Sequence, residues 1–241
     1  MIRNLLCWVV LAFVVVSCDK SYVTPDPVAR GLNFYPLEVG DYRIYNVKDI
    51  KYQHNEPTEL NFQMREWVAD SFMDQTNTLT YKIIRSIRAN AASEWVDDSV
   101  MTVTKNHNMV MLTRDNTRYV KLVFPVEEGK KWETDAYNDH YDANGDREIY
   151  KYSDIDKPFL VDGHEFTNTV TITILPPVIS ETTTLDNRKE VYARDLGMVY
   201  RLFSRINMAK CGAGPGECVD GPDYILDGHE RHEVLIEHGK L

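Results

Sequence analysis

The sequence predicts an all-β protein in which one large antiparallel meander curves strongly into a barrel or half-barrel. Short runs of alternating apolar and polar residues recur along the chain, as strands with one buried face require. Turn-forming groups such as Asn106-His107-Asn108 and Asp115-Asn116 separate these runs. Because so many twisted strands do not stay flat, the sheet is expected to curl. Helical periodicity is sustained nowhere after residue 17, and the one short helix candidate lies near Thr182 to Lys189.

The first element is a signal peptide, residues 1–17. Arg3 precedes an uncharged apolar run from Leu5 to Val16, which is shorter than the about 20 residues that a membrane-spanning helix needs. The sequence Val15-Val16-Ser17-Cys18 resembles the lipobox of bacterial lipoproteins. This resemblance implies cleavage before Cys18 and lipidation of its thiol, with acyl chains such as palmitate that anchor the protein to a membrane. The alternative is an ordinary secretory peptide cleaved at a small residue.

Residues 18–33 are predicted to form a flexible tether, because Asp19 to Asn33 contains Pro25, Pro27 and Gly31 and few apolar residues. A single β domain, residues 34–241, is expected to follow. Its eleven predicted strands are Tyr42 to Ile50, Leu60 to Val68, Leu79 to Ile87, Val100 to Lys105, Met109 to Arg114, Arg118 to Phe124, Arg147 to Tyr152, His164 to Leu175, Glu190 to Ala193, Met198 to Ile206 and His232 to Glu237.

The net charge of the chain disfavours some classes of binding partner. The net charge is −10, and the predicted signal peptide carries one charge, that of Arg3, so the net charge of the remainder is −11. An acidic surface argues against a nucleic-acid partner, because phosphate binding relies on clustered Lys and Arg. It also argues against electrostatic docking on anionic lipid headgroups, so the acyl anchor is expected to hold the protein at the membrane.

Two cysteines, Cys211 and Cys218, enclose a loop rich in Gly and Pro. In an oxidising compartment outside the cytoplasm, two neighbouring cysteines in a loop favour a disulfide. The competing interpretation is a zinc site in which His229 and His232 complete the ligand set. The six residues between the cysteines exceed the usual zinc spacing of two to four, so the disulfide is the prediction.

Four short phrases resemble a set of Bacteroidota-type envelope lipoproteins. The phrases are Phe34 to Tyr42 with Tyr45, Phe124 to Asn138, Tyr192 to Tyr200, and Val234 to Gly239. The resemblance implies a strongly curved antiparallel sheet, similar to the half-barrels of lipoprotein carriers of the LolA and LolB type, and it brings no catalytic residues. Gly40 and Gly197 are predicted to lie in turns that need a positive φ.

A calcium loop is the main candidate for a metal site. Asp142, Asn144 and Asp146 place oxygen ligands at alternate positions, but Arg147 and Ser153 stand where an EF-hand loop requires Gly and Glu. The pair Asn144-Gly145 is also a strong hairpin signal, so a turn is the favoured interpretation. No cofactor is predicted.

Other side chains with catalytic or binding chemistry have simpler structural interpretations. His229, His232 and His238 are expected to be solvated histidines on an edge strand, with positions 229 and 232 on opposite faces. No nucleophile elbow for a serine hydrolase occurs, and a glycosidase pair that includes Asp97 or Asp98 stays open. Aromatic residues are predicted to belong to the core rather than to a sugar platform or a lipid pocket. The residues in question are Trp67, Trp95, Trp132, Tyr137 and Tyr141.

Together these features predict a non-catalytic lipoprotein whose curved sheet presents a concave apolar surface to a hydrophobic or protein ligand. Its expected location is the cell envelope, lipid-anchored in the outer membrane, on the periplasmic face or at the cell surface. An accessory subunit of an envelope assembly for export, motility or glycan uptake is the first alternative. A glycan hydrolase is the weaker one.

Overall fold

The computed structural model describes residues 26–139, 147–175, 178–180, 184–208 and 224–241. Within these ranges the chain forms a short 3-10 helix, Leu32–Phe34, and thirteen strands. The strands are β1 (Asp41–Gln53), β2 (Glu56–Met73), β3 (Leu79–Arg88), β4 (Val96–Lys105), β5 (Met109–Arg114), β6 (Thr117–Val123), β7 (Lys131–Glu133), β8 (Ile149–Val161), β9 (His164–Leu175), β10 (Val178–Ser180), β11 (Thr184–Ala193), β12 (Gly197–Met208) and β13 (Ile225–Lys240). No helix in the described part of the chain has the length and apolar character needed to cross a bilayer.

The strands form one antiparallel sheet that closes almost completely on itself. Its order is β6-β5-β4-β3-β2-β1-β13-β12-β11-β9-β8-β7, and β10 pairs with β11 beyond the end of β9. The two ends of this path meet where the Val120 amide donates to the Thr134 carbonyl at 2.8 Å and Trp132 Nε1 donates to the Val120 carbonyl at 3.0 Å. The chain is therefore an up-and-down meander rolled into a nearly closed barrel, which leaves few unpaired strand edges.

The all-β prediction is confirmed, and each of the eleven predicted strands overlaps an observed one, although β8, β11 and β13 are longer than predicted. The positive φ values predicted for Gly40 and Gly197 are also confirmed, at 96° and 89°. The short helix near Thr182 to Lys189 is wrong, because Thr184 to Lys189 pairs with β12 as the first part of β11. The cross-strand ladder prevails over the weak local preference of these residues.

One end of the barrel, called here the closed end, is covered by residues 26–35. The Arg30 carbonyl accepts a hydrogen bond from the Val126 amide at 3.0 Å, and Arg194 donates to the Val28 carbonyl at 2.9 Å. Phe34 is fully buried beneath the guanidinium of Arg194. The chain is therefore fixed to the barrel from Val28 onward, although the sequence predicts a flexible tether as far as Asn33.

The apolar core fills the part of the barrel next to this cover. Its buried members come from strands on every side of the barrel, as the inward positions of a closed sheet require. They include Phe34, Val68, Met101, Val103, Val110, Leu122, Trp132, Tyr152, Val170 and Ile172. The opposite end is called here the open end because Arg205, an exposed residue of the interior lining, lies there on β12, close to the end of β5 at Arg114.

Candidate functional site

A cavity of about 290 Å³ lies inside the barrel. It extends from Tyr35 and Leu37, near the closed end, to Arg114 and Arg205 at the open end. The side chains of Arg205 and Arg114 are 54% and 35% exposed, so the lining is most accessible to solvent at the open end. The barrel thus encloses a space that its own side chains do not fill.

The strand register brings a row of alternating charges into this interior. Glu190 on β11 lies opposite Arg201 on β12, and Arg201 lies opposite Glu233 on β13. Directly opposed residues in an antiparallel pair point to the same face of the sheet, so the three side chains meet across three strands. Glu190 and Glu233 are both buried, at 7% and 0% exposed.

Lys121 completes a central cluster around Glu190. Its ammonium donates a short hydrogen bond to Glu190 Oε1, and Arg201 Nε lies 3.7 Å from the same oxygen. The Tyr192 hydroxyl donates to Glu190 Oε2 at 2.7 Å. On the far side of Arg201, one terminal nitrogen lies 3.5 Å from Glu233, which also accepts a hydrogen bond from Arg231 Nε at 2.7 Å.

Burial and neighbouring charges shift the pKa values of the residues in this cluster in opposite directions. Burial alone raises the pKa of Glu190, but Lys121 and Arg201 outweigh it and hold the pKa below its ordinary value. The pKa of Glu233 is lowered in the same way, because Arg201 and Arg231 together outweigh its burial. Burial lowers the pKa of Lys121, and Glu190 partly offsets that effect. Both glutamates are therefore carboxylates at neutral pH.

Three further ion pairs contribute to the wall. Arg188 makes a two-pronged contact with Asp186, at 2.6 and 2.7 Å, and reaches Glu148 at 2.7 Å. Arg85 on β3 donates to Glu66 on β2 at 2.5 Å. Because breaking a buried pair by removing one partner is costly, these pairs hold the charged wall in one arrangement.

The sites predicted from cysteine and calcium chemistry lie outside the described residues. These residues are Cys18, Cys211, Cys218, Asp142, Asn144 and Asp146. Among the residues that the structure describes, no group of three His, Cys, Asp or Glu side chains is arranged to hold a metal ion.

The terminal histidines differ in part from their prediction. They belong to β13, which lies between β1 and β12 and is not an edge strand. His229 Nε2 lies 2.9 Å from Asp49, whereas His232 contacts Glu230 and the Tyr200 hydroxyl. These separate partners agree with the prediction that positions 229 and 232 point to opposite faces of the strand.

The acids and aromatics singled out in the sequence do not line the cavity as a group. Asp97 accepts a hydrogen bond from the Ser86 hydroxyl at 2.8 Å. Trp132 packs in the core with its ring centre 4.4 Å from that of Tyr152. The ring of Trp95 contacts the guanidiniums of Arg65 and Arg88, which are 4.8 and 4.2 Å from its ring centre. Tyr137 is exposed.

The charged interior was not predicted from the sequence. The available signal was a charged residue at the centre of an apolar strand segment, as at Arg85 among three isoleucines and at Arg201 between Tyr200 and Leu202. A basic residue at such a position is ordinarily assigned to the solvent face. Here Arg201 lines the cavity instead.

Comparisons with known proteins do not assign the chain to a family. No protein-family profile matches the chain, and no curated protein matches it. A crystal structure from Bacteroides fragilis, of a protein described as exported and as having a YmcC-like fold, aligns with 86% of this chain and 99% of its own. The two share 12% sequence identity and the TM-score is 0.34, a similarity too low to carry an argument about function.

Proposed function

We propose that this chain is a non-catalytic, lipid-anchored protein of the cell envelope that binds a small ligand inside its barrel. The observation that carries the proposal is the interior cavity of about 290 Å³. Small barrels are ordinarily filled by side chains or hold one small ligand. This volume is near the lower end of the roughly 300–1,000 Å³ of small-molecule sites.

The position of residues 26–35 supports access to the cavity from the aqueous side. Asp26, where the described chain begins, lies in the segment that covers the closed end. A chain held through an acyl group on Cys18 would therefore be attached at the closed end, opposite the residues most exposed along the cavity. The proposed ligand enters at the open end, between Arg114 and Arg205.

The cavity lining favours a ligand of mixed polarity. Met101, Leu112 and Phe203 supply apolar surface, whereas Lys121 and Arg201 supply charge. The concave apolar surface expected from the sequence is therefore only part of the interior. The same charged residues are engaged in ion pairs, and no nucleophile or general base is assigned among them.

Binding of the uncharged fluorescent probe N-phenylnaphthylamine tests the interior site. The protein for this test is residues 18–241 with Cys18→Ser, which contains every strand of the barrel and carries no lipid. Leu112→Trp places a larger side chain in the cavity, and Val100→Trp on the neighbouring strand β4 adds the same side chain at an exposed position.

We expect saturable binding that Leu112→Trp weakens at least tenfold and that Val100→Trp leaves within twofold. Near-ultraviolet circular dichroism of both variants checks that the barrel stays folded. Absence of saturable binding to the parent protein, or equal loss in both variants, would contradict a ligand site inside the barrel.

The lipid anchor has a separate test. Intact-mass measurement of the protein purified from native membranes should show a chain that begins at Cys18 and carries the mass of acyl chains. A Cys18→Ser variant should leave the membrane fraction. An unmodified thiol at position 18, or a retained signal peptide, would refute the anchor without bearing on the barrel.

A further inference from the structure

The geometry points to a small organic anion as the ligand of the interior cavity, with its oxyanion bound by Arg201 and its body packed against the aromatic and aliphatic wall. This inference rests on the proposed ligand-binding function and specifies the chemistry of the ligand.

The charge of the cavity lining is opposite in sign to that of the protein. The whole chain has a net charge of −10, yet among the residues that the structure describes, seven basic and three acidic side chains line the cavity. Two more acids, Asp186 and Glu233, form ion pairs with these bases from the surrounding wall, so a surplus of positive charge stays in the interior. The basic residues are Arg43, Arg85, Arg114, Lys121, Arg188, Arg201 and Arg205, and the acidic ones are Glu66, Glu148 and Glu190.

A positive interior in an acidic protein is unfavourable unless an anion offsets it. Charges removed from bulk water lose hydration, and unpaired charges of one sign repel each other more strongly where water is scarce. A cleft lined by one sign of charge also concentrates ligands of the other sign and speeds their association. Arg114 and Arg205, at the open end, are placed to attract such a ligand.

Arg201 has donor capacity that the described protein does not use. Its guanidinium lies 3.5 and 3.7 Å from Glu233 and Glu190, and among the described residues it makes no side-chain hydrogen bond. By contrast, Arg188 and Arg85 are fixed by hydrogen bonds to Asp186 and Glu66. A planar guanidinium with unused donors is well suited to a carboxylate, sulfonate or phosphate group, which it can bind through two parallel hydrogen bonds.

Two other arginines at the open end also have hydrogen-bond donors that the described residues do not use. Arg205 lies 3.4 Å from Asp186 and Arg114 lies 3.8 Å from Asp115, and neither makes a side-chain hydrogen bond within the described ranges. Both line the same cavity as Arg201. An anion entering the barrel therefore passes the exposed Arg205 and the half-buried Arg114 before it reaches Arg201, which is more deeply buried.

The rest of the lining determines the body of the ligand. Tyr35, Met101, Leu112 and Phe203 contribute aromatic and aliphatic surface to the cavity. An inorganic ion would leave this surface in contact with water, whereas an aromatic or short aliphatic body would cover it. The ligand is thus an amphipathic anion small enough for about 290 Å³.

Two probes that differ by one acidic group test this inference. Anilinonaphthalene sulfonate is N-phenylnaphthylamine with an added sulfonate, so the difference in their affinities isolates the contribution of the anion. The variants are Arg201→Gln, Arg201→Lys and the control Arg118→Gln, which removes one positive charge from an exposed position on β6. All are made in residues 18–241 with Cys18→Ser.

We expect Arg201→Gln to weaken binding of the sulfonate at least tenfold, as the loss of hydrogen bonds to a charged group implies, and to change binding of the uncharged probe less than twofold. Arg201→Lys should restore part of the affinity because it keeps the charge but not the forked donors. Arg118→Gln should change neither probe. If Arg201→Gln fails to fold, Arg205→Gln at the more exposed open end replaces it, with a loss of at least threefold expected for the sulfonate alone.

The two proposals fail in different ways. If the uncharged probe binds and responds to Leu112→Trp, but the sulfonate is insensitive to both arginine variants, the anion inference is overturned and the interior site stands. If neither probe binds the parent protein, the ligand-binding function itself is refuted. Equal weakening of both probes by Arg201→Gln would also overturn the anion inference, because it would indicate a general change in the cavity.

Discussion

Removal of Arg85 should destabilise the barrel far more than removal of Arg85 and Glu66 together. The two residues lie opposite each other on β3 and β2, and Arg85 donates both its Nε and a terminal nitrogen to Glu66 Oε1, at 3.2 and 2.5 Å. Their side chains are 12% and 19% exposed. Among the described residues, the Glu66 carboxylate has no other hydrogen bond, so Arg85→Met leaves it inside the barrel without a donor.

The expected cost follows from this geometry. Two unit charges about 4 Å apart interact by about 4 kcal/mol at an effective dielectric constant near 20. Breaking a buried pair by removing one partner costs about 3–5 kcal/mol, and the residual exposure of Glu66 to the cavity favours the lower limit, about 3 kcal/mol. For a domain of this size that corresponds to a decrease in Tm of about 6–12 °C. Glu66→Met combined with Arg85→Met should stay within about 1 kcal/mol of the parent, because no charge is left unpaired.

Urea unfolding followed by tryptophan fluorescence measures these free energies, and the single variant Glu66→Met completes the double-mutant cycle. Lys48→Met, which removes one partner of an exposed pair on β1 and β2, serves as the control and should leave the urea midpoint unchanged. A double variant as unstable as Arg85→Met alone would refute the reasoning. The loss would then come from packing of the arginine stem and not from an unpaired carboxylate.

Two further predictions concern backbone conformation and pH. Gly197→Ala should lower the free energy of unfolding by about 1–3 kcal/mol more than Gly163→Ala does. Both glycines have a positive φ, but only at Gly197 would an added Cβ lie 2.8 Å from Arg43 Nε. Equal urea midpoints of the two variants would contradict this prediction. Glu190, whose pKa is lowered from 4.5, contributes stability that is present above pH 4.5 and is lost as the pH falls through its folded pKa. The stability difference between the parent and Glu190→Gln should therefore shrink below pH 4.5, whereas exposed Glu165→Gln should show no such trend.

The positions of the strands could be predicted from the sequence where one face of a strand is buried and the other is exposed, or where turn residues mark its ends. The bounds of β5 and β9 agree at both ends with the predicted segments, since turn-forming or proline residues lie directly beyond each run. The first residues of β2, Glu56 to Asn61, are all exposed, so no apolar alternation marks them. The three-residue strand β7 buries only Trp132, and a single buried residue has no period.

The charged interior was less predictable, because the sequence does not show where a register shifts. Val110 pairs with Leu122 and Met111 pairs with Val120, so Lys121 is the residue that the β5–β6 ladder omits. A β-bulge of this kind redirects a side chain that simple alternation would place on the other face. Lys121 therefore reaches the interior even though its neighbours Val120 and Leu122 are both buried.

This bulge also links the closure of the barrel to the properties of its cavity. Val120, one residue before the omitted lysine, provides the carbonyl that joins β6 to Trp132 of β7 and the amide that joins it to Thr134 directly after β7. The redirected ammonium of Lys121 reaches across the interior to Glu190 on β11, which is far from β6 in the order of the sheet. An ion pair that spans the barrel holds its walls at a fixed separation, and a cavity of constant width is what a small-ligand site requires. The residues that fix the shape of the cavity are thus the same ones that set its charge.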